Sequence, residues 1–316
     1  MDFFALVLNT HMNKKPLIYL HIGRHKTGTT FLQTFLRLNE SLLLSKGILY
    51  PKTGIPKIIP FAHHNLAWEI NRDERFMPVK GSQWENLHKE IENNNTNVVV
   101  LSSESFCEGF REEQIHSLKN KLLGYEVKII VYLRRQDKWY QSAYKGLVWD
   151  GYTYNSFSKF VEYMESTGQG NYYNFIKRWE KYFEKESIFV RIYKEGQPPE
   201  HILKDFLSVI GLQYKTEDFV SIKNQNVSPN IKLIKIKCFV NRFNSFISNN
   251  RIKFYINVYE NKLLYIFYKL INKIIPNFLI DNKLTTIQED YKILKRYEES
   301  NSKIAKEYFQ NAEKLF

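Results

Sequence analysis

The chain has 316 residues, with 46 Lys and Arg against 33 Asp and Glu and a formal charge of +13, so an anionic partner is favoured over a cationic one. Hydrophobic residues make up 43% and aromatics 16%, which excludes a disordered chain and supplies one large core or two smaller ones. Two cysteines, Cys107 and Cys238, exclude a disulfide scaffold and offer no CxxC pair, so a reducing, cytoplasmic location is expected.

Residues 3–8 form an apolar run with no basic residue ahead of it, too short to cross a bilayer. Residues 1–15 are therefore expected to be an N-terminal extension, neither signal peptide nor anchor. The apolar run 17–22 ends before Gly23, and residues 30–44 repeat Phe31, Leu32, Phe35, Leu36, Leu38 and Leu42 at helical spacing, which reads as strand, loop, helix. Residues 98–101, 127–133 and 188–192 are β-branched runs without strict alternation, as expected of parallel strands covered on both faces. Helix-period stretches at 84–92, 112–123, 139–148, 172–182 and 201–210 lie among them. This βαβ rhythm predicts an α/β core over 16–224, with a central parallel sheet. Over residues 229–280 there are nine Lys or Arg and one acid, Glu260, so 225–316 are predicted to be a basic helical extension packed on the core. Lys262, Lys269 and Lys273 make a cationic stripe there. That stripe is expected to be part of a packing helix, or a surface for an anionic glycan or for peripheral contact with the inner face of a membrane.

The segment Gly23-Arg24-His25-Lys26-Thr27-Gly28-Thr29-Thr30 joins the first strand to the first helix, where backbone amides and the helix dipole favour an anion. Its glycines have Walker A spacing, yet Thr29 stands where that motif needs lysine, and the lysine is inside the loop as Lys26. This disfavours NTP hydrolysis. Arg134 closes a strand and Ser142 lies one to two turns into the following helix, so guanidinium and hydroxyl are expected to converge on one phosphate.

The run from Leu20 to Gln33 resembles the 5′-phosphosulfate loop of sulfotransferases that use 3′-phosphoadenosine 5′-phosphosulfate (PAPS), particularly bacterial carbohydrate-type members. Residues 132–144 are similar to the family's 3′-phosphate motif, an Arg followed eight residues later by a Ser. Gln136 stands where the family usually has Pro, and is expected to alter the turn only. Tyr193 resembles the family's Tyr-Glu element near the adenine, with the acid displaced by one position. The family's late basic loop has its nearest candidates in Lys223 and residues 224–229. The resemblance implies a P-loop-like three-layer α/β/α fold and sulfuryl transfer from PAPS to a hydroxyl, leaving 3′-phosphoadenosine 5′-phosphate (PAP), with no metal. It implies donor contacts from Lys26, Thr27, Gly28, Thr29, Thr30, Arg134, Ser142 and Tyr193.

Such a transfer needs in-line alignment, a cation on the leaving oxygen and a base for the hydroxyl proton. Lys26 suits the cation, with the hydroxyls of Thr29 and Thr30 as further donors. For the base, Glu104 follows the second predicted strand and points into the crevice at the sheet's carboxyl edge. The rival is the pair His63-His64, whose adjacent rings cannot face the same way. Two other readings remain open, a nucleotide kinase with an irregular P-loop and a basic nucleic-acid or membrane module. The acceptor is expected to be a carbohydrate or glycan, bound by loops near 50–80 and 149–170 and by the tail; nucleic acid is not an expected partner, and the oligomeric state is left open.

Overall fold

The computed structural model describes residues 15–152, 156–222, 231–247, 283–310, 312 and 314–316. The lysine stripe of the tail and the late basic candidates at 223–229 lie outside these residues. The chain divides into two compact units, Met1–Leu133 with Phe175–Lys223, and Arg134–Asn174 with Asn224–Phe316.

The first unit is built on a five-stranded parallel sheet in the order β2-β3-β1-β4-β5. Its strands are β1 (Leu17–His21), β2 (Ile48–Leu49), β3 (Val98–Ser102), β4 (Val127–Leu133) and β5 (Ile188–Ile192). Four of them were legible as apolar runs, while β2, two residues at the sheet edge, is too short to carry a pattern. Between β1 and β2 come α1 (Thr29–Leu38) and α2 (Glu40–Ser45), where one helix was expected. Asn39 breaks it, because its side-chain amide donates to Phe35 O at 2.9 Å and its Oδ1 accepts Val220 N–H at 2.8 Å, which takes the residue out of the ladder. Then follow α3 (His64–Asn71), α4 (Gln83–Asn93) and, after β3, α5 (Glu112–Lys121).

One sheet face, with Tyr19, Val100, Ile130 and Tyr132, packs on Leu32, Phe35 and Leu36 of α1 and on Leu203, Phe206 and Leu207 of α9 (Glu200–Val209). The alternate residues Ile18, Leu20, Val99, Leu101, Ile129 and Val131 are equally buried, so the sheet is covered on both faces and its strands need no polar alternation. This is the expected α/β fold, a parallel sheet between helices.

The second unit holds α6 (Gln136–Trp149), α7 (Phe157–Ser166), α10 (Ile231–Ile247), α11 (Ile287–Arg296) and α12 (Glu298–Tyr308), and the chain passes from it back to the first unit within α8 (Tyr172–Glu180). Aromatic residues dominate its core, Trp139, Tyr140, Tyr144, Phe160 and Tyr297, with Ile234 and Ile293. Residues 134–174 therefore group with the tail, and α7 occupies much of a stretch expected to be an acceptor loop. Gln136 does more than alter a turn. Its amide is buried and exchanges two hydrogen bonds with Asn301, at 2.7 and 3.1 Å, an internal polar pair that a proline could not make.

Candidate active site

The loop after β1 owes its shape to three residues in the left-handed region, Gly23 at φ 38°, Lys26 at φ 67° and Gly28 at φ 79°. For Lys26, which has a Cβ, that conformation costs about 1–2 kcal/mol. The loop is closed from within by the Thr27 hydroxyl, which donates to Arg24 O at 2.6 Å. Gly28 caps α1 in the left-handed conformation, with no side-chain cap and no acid in the first turn. The amides that begin α1 are thus left for an anion, and the helix dipole favours one there. A Cβ on Gly28 would stand 3.2 Å from both the Tyr193 ring and Ile202. Tyr193 thus lies over the loop, its backbone N–H on Leu133 O. Arg24 is buried, its guanidinium 5.1 Å from the Phe175 ring centre, while Lys26 and Thr30 are exposed.

Because β1 pairs with β3 in register His21 to Ser102, the residues after the two strands meet at the carboxyl edge of the sheet. Ser103 N–H donates to His21 O at 3.1 Å, and the Ser103 hydroxyl caps a short 3₁₀ turn, Glu104–Phe106. Glu104 is 4% exposed. Gln33 Nε2 donates to Glu104 Oε2 at 2.8 Å and to Ser102 Oγ at 3.1 Å, and Ser102 Oγ lies 2.7 Å from His21 Nδ1. The Thr29 hydroxyl also bonds to Glu104. Thr29 and Gln33 are one turn apart on α1, so one helix face grips the carboxylate. Burial pushes the Glu104 pKa up, but the charges of His25 and His64 and the bonds from Thr29 and Gln33 outweigh it, holding the carboxyl below its ordinary range. Glu104 is ionised at neutral pH.

The two adjacent histidines have different surroundings. His63 is fully buried, its Nε2 2.9 Å from Pro51 O and its Nδ1 accepting Ser102 N–H at 3.1 Å. Burial drives its pKa down to about 4 against the opposing backbone bonds. Both nitrogens of His63 are thus engaged by backbone, and the ring braces residues 50–63 against β3. His64 opens α3 and stacks on Trp68 at 5.3 Å. Its Nδ1 lies 2.7 Å from Ser103 Oγ and 3.0 Å from Ser105 Oγ, and its Nε2 is 3.9 Å from Glu104 Oε2. Burial lowers its pKa although Glu104 pulls the other way.

Two threonines of the loop spend their hydroxyls inside the protein, Thr27 on Arg24 O and Thr29, one of the two expected hydroxyl donors, on Glu104. Their contribution to an anion would come from backbone amides, while Thr30 retains an exposed side chain. Two residues not foreseen as site members stand here. Gln33 is four residues beyond Thr29, a spacing that could have exposed it. His25 pairs with Glu108 at 2.5 Å, which lifts its pKa despite the cost of desolvation.

In the second unit, Arg134 precedes α6 and its carbonyl accepts the Tyr172 hydroxyl at 2.7 Å. Arg135 is committed to the buried Asp137, with bonds of 2.8 and 2.7 Å. Lys138, Ser142 and Lys145 follow one another at intervals of four and three residues on one face of α6, and Arg134 stands two residues before the helix begins. Lys145 has its pKa lowered, first by desolvation and then by the like charges of Arg134 and Lys138. Lys138 is paired with Asp290 at 2.7 Å and Asp137 at 3.4 Å, while the mutual repulsion of Arg134 and Lys145 is a setting that favours an anion.

No family model matches the chain. A curated protein of Archaeoglobus fulgidus, described as uncharacterised, is 27% identical over 217 residues, covering 67% of this chain and 54% of that protein. The chain thus spans about half the length of the curated relative it matches. Among solved structures, a sulfotransferase from Alicyclobacillus acidocaldarius is similar with a TM-score of 0.43 and 17% identity, over 74% of this chain and 96% of that one. Among the described residues, no helix is long and apolar enough to cross a membrane, and no group of three or more His, Cys, Asp or Glu could hold a metal ion.

Proposed function

We propose that the chain is a sulfotransferase that moves a sulfuryl group from PAPS to a hydroxyl of an acceptor, a carbohydrate or glycan. The observation that carries this reading is the grip of Thr29 and Gln33 on Glu104. It fixes an ionised carboxylate, suited to receive a hydroxyl proton, against the helix whose uncapped amides suit a phosphate. PAPS, when bound, supplies the sulfuryl group on its 5′-phosphate.

On this reading the amides of Gly28, Thr29 and Thr30 hold the 5′-phosphate, and Lys26 offsets the charge that develops on the leaving oxygen. Glu104 accepts the acceptor's proton. Arg134 and Ser142, joined by Lys145, are assigned the 3′-phosphate, and Tyr193, against Gly28, the adenine side of the loop. A cytoplasmic setting and an acidic glycan drawn by the +13 charge belong to the same proposal.

The test is transfer of label from radiosulfur-labelled PAPS to N-acetyllactosamine and to a chondroitin oligosaccharide, with release of free sulfate as the background reaction. Wild-type protein should label at least one, and Glu104→Gln should lower turnover by about 10² while PAP affinity stays within about twofold. Unaltered turnover in Glu104→Gln would remove Glu104 from the reaction.

A further inference from the structure

The sequence sets Glu104 and His64 against each other as rival bases, yet the fold brings them within 3.9 Å, both largely buried. We propose that they act in series: Glu104 takes the proton from the acceptor hydroxyl, and His64 Nε2 then takes it from Glu104. The inference rests on the sulfotransferase reading. His64 is a positioning residue in this scheme, since it meets the carboxylate and not the acceptor.

A base that binds protons less tightly than an ordinary carboxylate is a poor resting place for one. Beside a neutral His64, the charge of His25 and the donors Thr29 and Gln33 still disfavour a proton on Glu104. A neutral imidazole alongside provides the better site. The surroundings of His64 suit the charged product of that second step. Its Nδ1 faces two hydroxyl oxygens, Ser103 Oγ at 2.7 Å and Ser105 Oγ at 3.0 Å, which can share an Nδ1–H as acceptors and leave the Nε2 lone pair toward Glu104. Ser105 N–H donates to Ser103 Oγ at 3.1 Å and fixes that oxygen in place. After transfer both N–H groups of the imidazolium have acceptors, hydroxyl oxygen at Nδ1 and carboxylate at Nε2. Closing 3.9 Å to a hydrogen bond requires about 1 Å of side-chain movement or one bridging water.

The balance is complete. The acceptor O–H bond breaks and its proton goes to Glu104; the acceptor oxygen bonds to sulfur; the bond from sulfur to the phosphate oxygen breaks and its electron pair leaves on PAP. The proton then passes to His64 and from there to solvent. The charged groups facing His64 are Glu104 and Glu108, which favour its protonation, and His25 and Arg75, which oppose it.

The experiment has two arms on full-length protein. In the first, the His64 ring proton is titrated by NMR in wild type and in Glu104→Gln; loss of the carboxylate should lower the His64 midpoint by about half a pH unit or more. In the second, the rate of PAPS turnover, with water or N-acetyllactosamine as acceptor, is followed against pH in wild type and His64→Gln. Wild type should lose activity on acidification through the His64 midpoint, because a charged imidazole cannot accept the proton. His64→Gln should fall about 10- to 100-fold in kcat at neutral pH with PAP affinity unchanged, and its acidic limb should move down to that of Glu104. An unmoved midpoint in Glu104→Gln, or a wild-type acidic limb retained in His64→Gln, overturns the series. If the two groups titrate as a coupled pair but wild type neither binds PAP nor turns over PAPS, the transferase reading falls and the proton pair stands. A loss of fold in His64→Gln would show in PAP affinity, and the first arm does not use that variant.

Discussion

A buried histidine with both ring nitrogens against backbone has a measurable effect on stability. His63 is held neutral with a pKa of about 4, against 6.5 in an unperturbed chain. Between those values the unfolded chain binds a proton at this residue and the folded chain does not. Stability therefore falls as pH drops from 6.5 toward 4, by about 3 kcal/mol at the foot of the window. His21, also driven to about 4 by burial, acts over the same range. Urea unfolding of His63→Gln across this window should show a shallower loss of stability than wild type, reduced by about half; an identical slope would assign the titration elsewhere. At this scale the sequence was informative about position and silent about partners. Glu104 was legible because it follows an apolar strand, where side chains reach the carboxyl edge of the sheet. That Thr29 would spend its hydroxyl on Glu104, or that His63 would be stitched to Ser102, depends on a register between β1, β3 and residues 50–63 that one-dimensional pattern does not encode.

Among elements, the loop between β1 and α1 has the strictest backbone requirements. Gly28 combines a left-handed φ of 79° with the Tyr193 ring and Ile202 each 3.2 Å from where a Cβ would stand, whereas Gly211 has a similar φ of 80° and nothing within 4 Å. Alanine at Gly211 should cost about 1–2 kcal/mol, the backbone conformation alone. Alanine at Gly28 should cost more and also weaken PAP binding at least tenfold, since displacing Tyr193 re-aims the first amides of α1. Thermal unfolding with calorimetry on both variants decides it: equal losses of stability with intact PAP affinity in Gly28→Ala would mean that the loop does not shape the anion site. The four longer strands and most helices were legible because their apolar periodicity is long enough to count. The break at Asn39 and the edge strand Ile48–Leu49 were not, since each is settled by tertiary partners, Val220 for Asn39 and β3 for the edge strand. The buried Phe160, Val161 and Met164 of α7 do carry a helical pattern, which an expectation of variable loops at 149–170 obscured.

For the whole molecule, the proposed donor is read at two phosphates, the 5′-phosphate by the loop after β1 and the 3′-phosphate by Arg134, Ser142 and Lys145, in a chain that carries a charge of +13. ADP and PAP share the adenosine and the first phosphate of the 5′ chain, but only PAP carries a 3′-phosphate. The most direct measurement is therefore the affinity of the protein for PAP and for ADP by titration calorimetry at fixed salt, in wild type and in Arg134→Ala. PAP should bind at least about tenfold tighter than ADP, a difference of about 1.4 kcal/mol or more, and Arg134→Ala should remove most of that preference while leaving ADP nearly unchanged. Equal affinities for PAP and ADP in the wild type, or a preference for PAP that survives Arg134→Ala, would contradict the account.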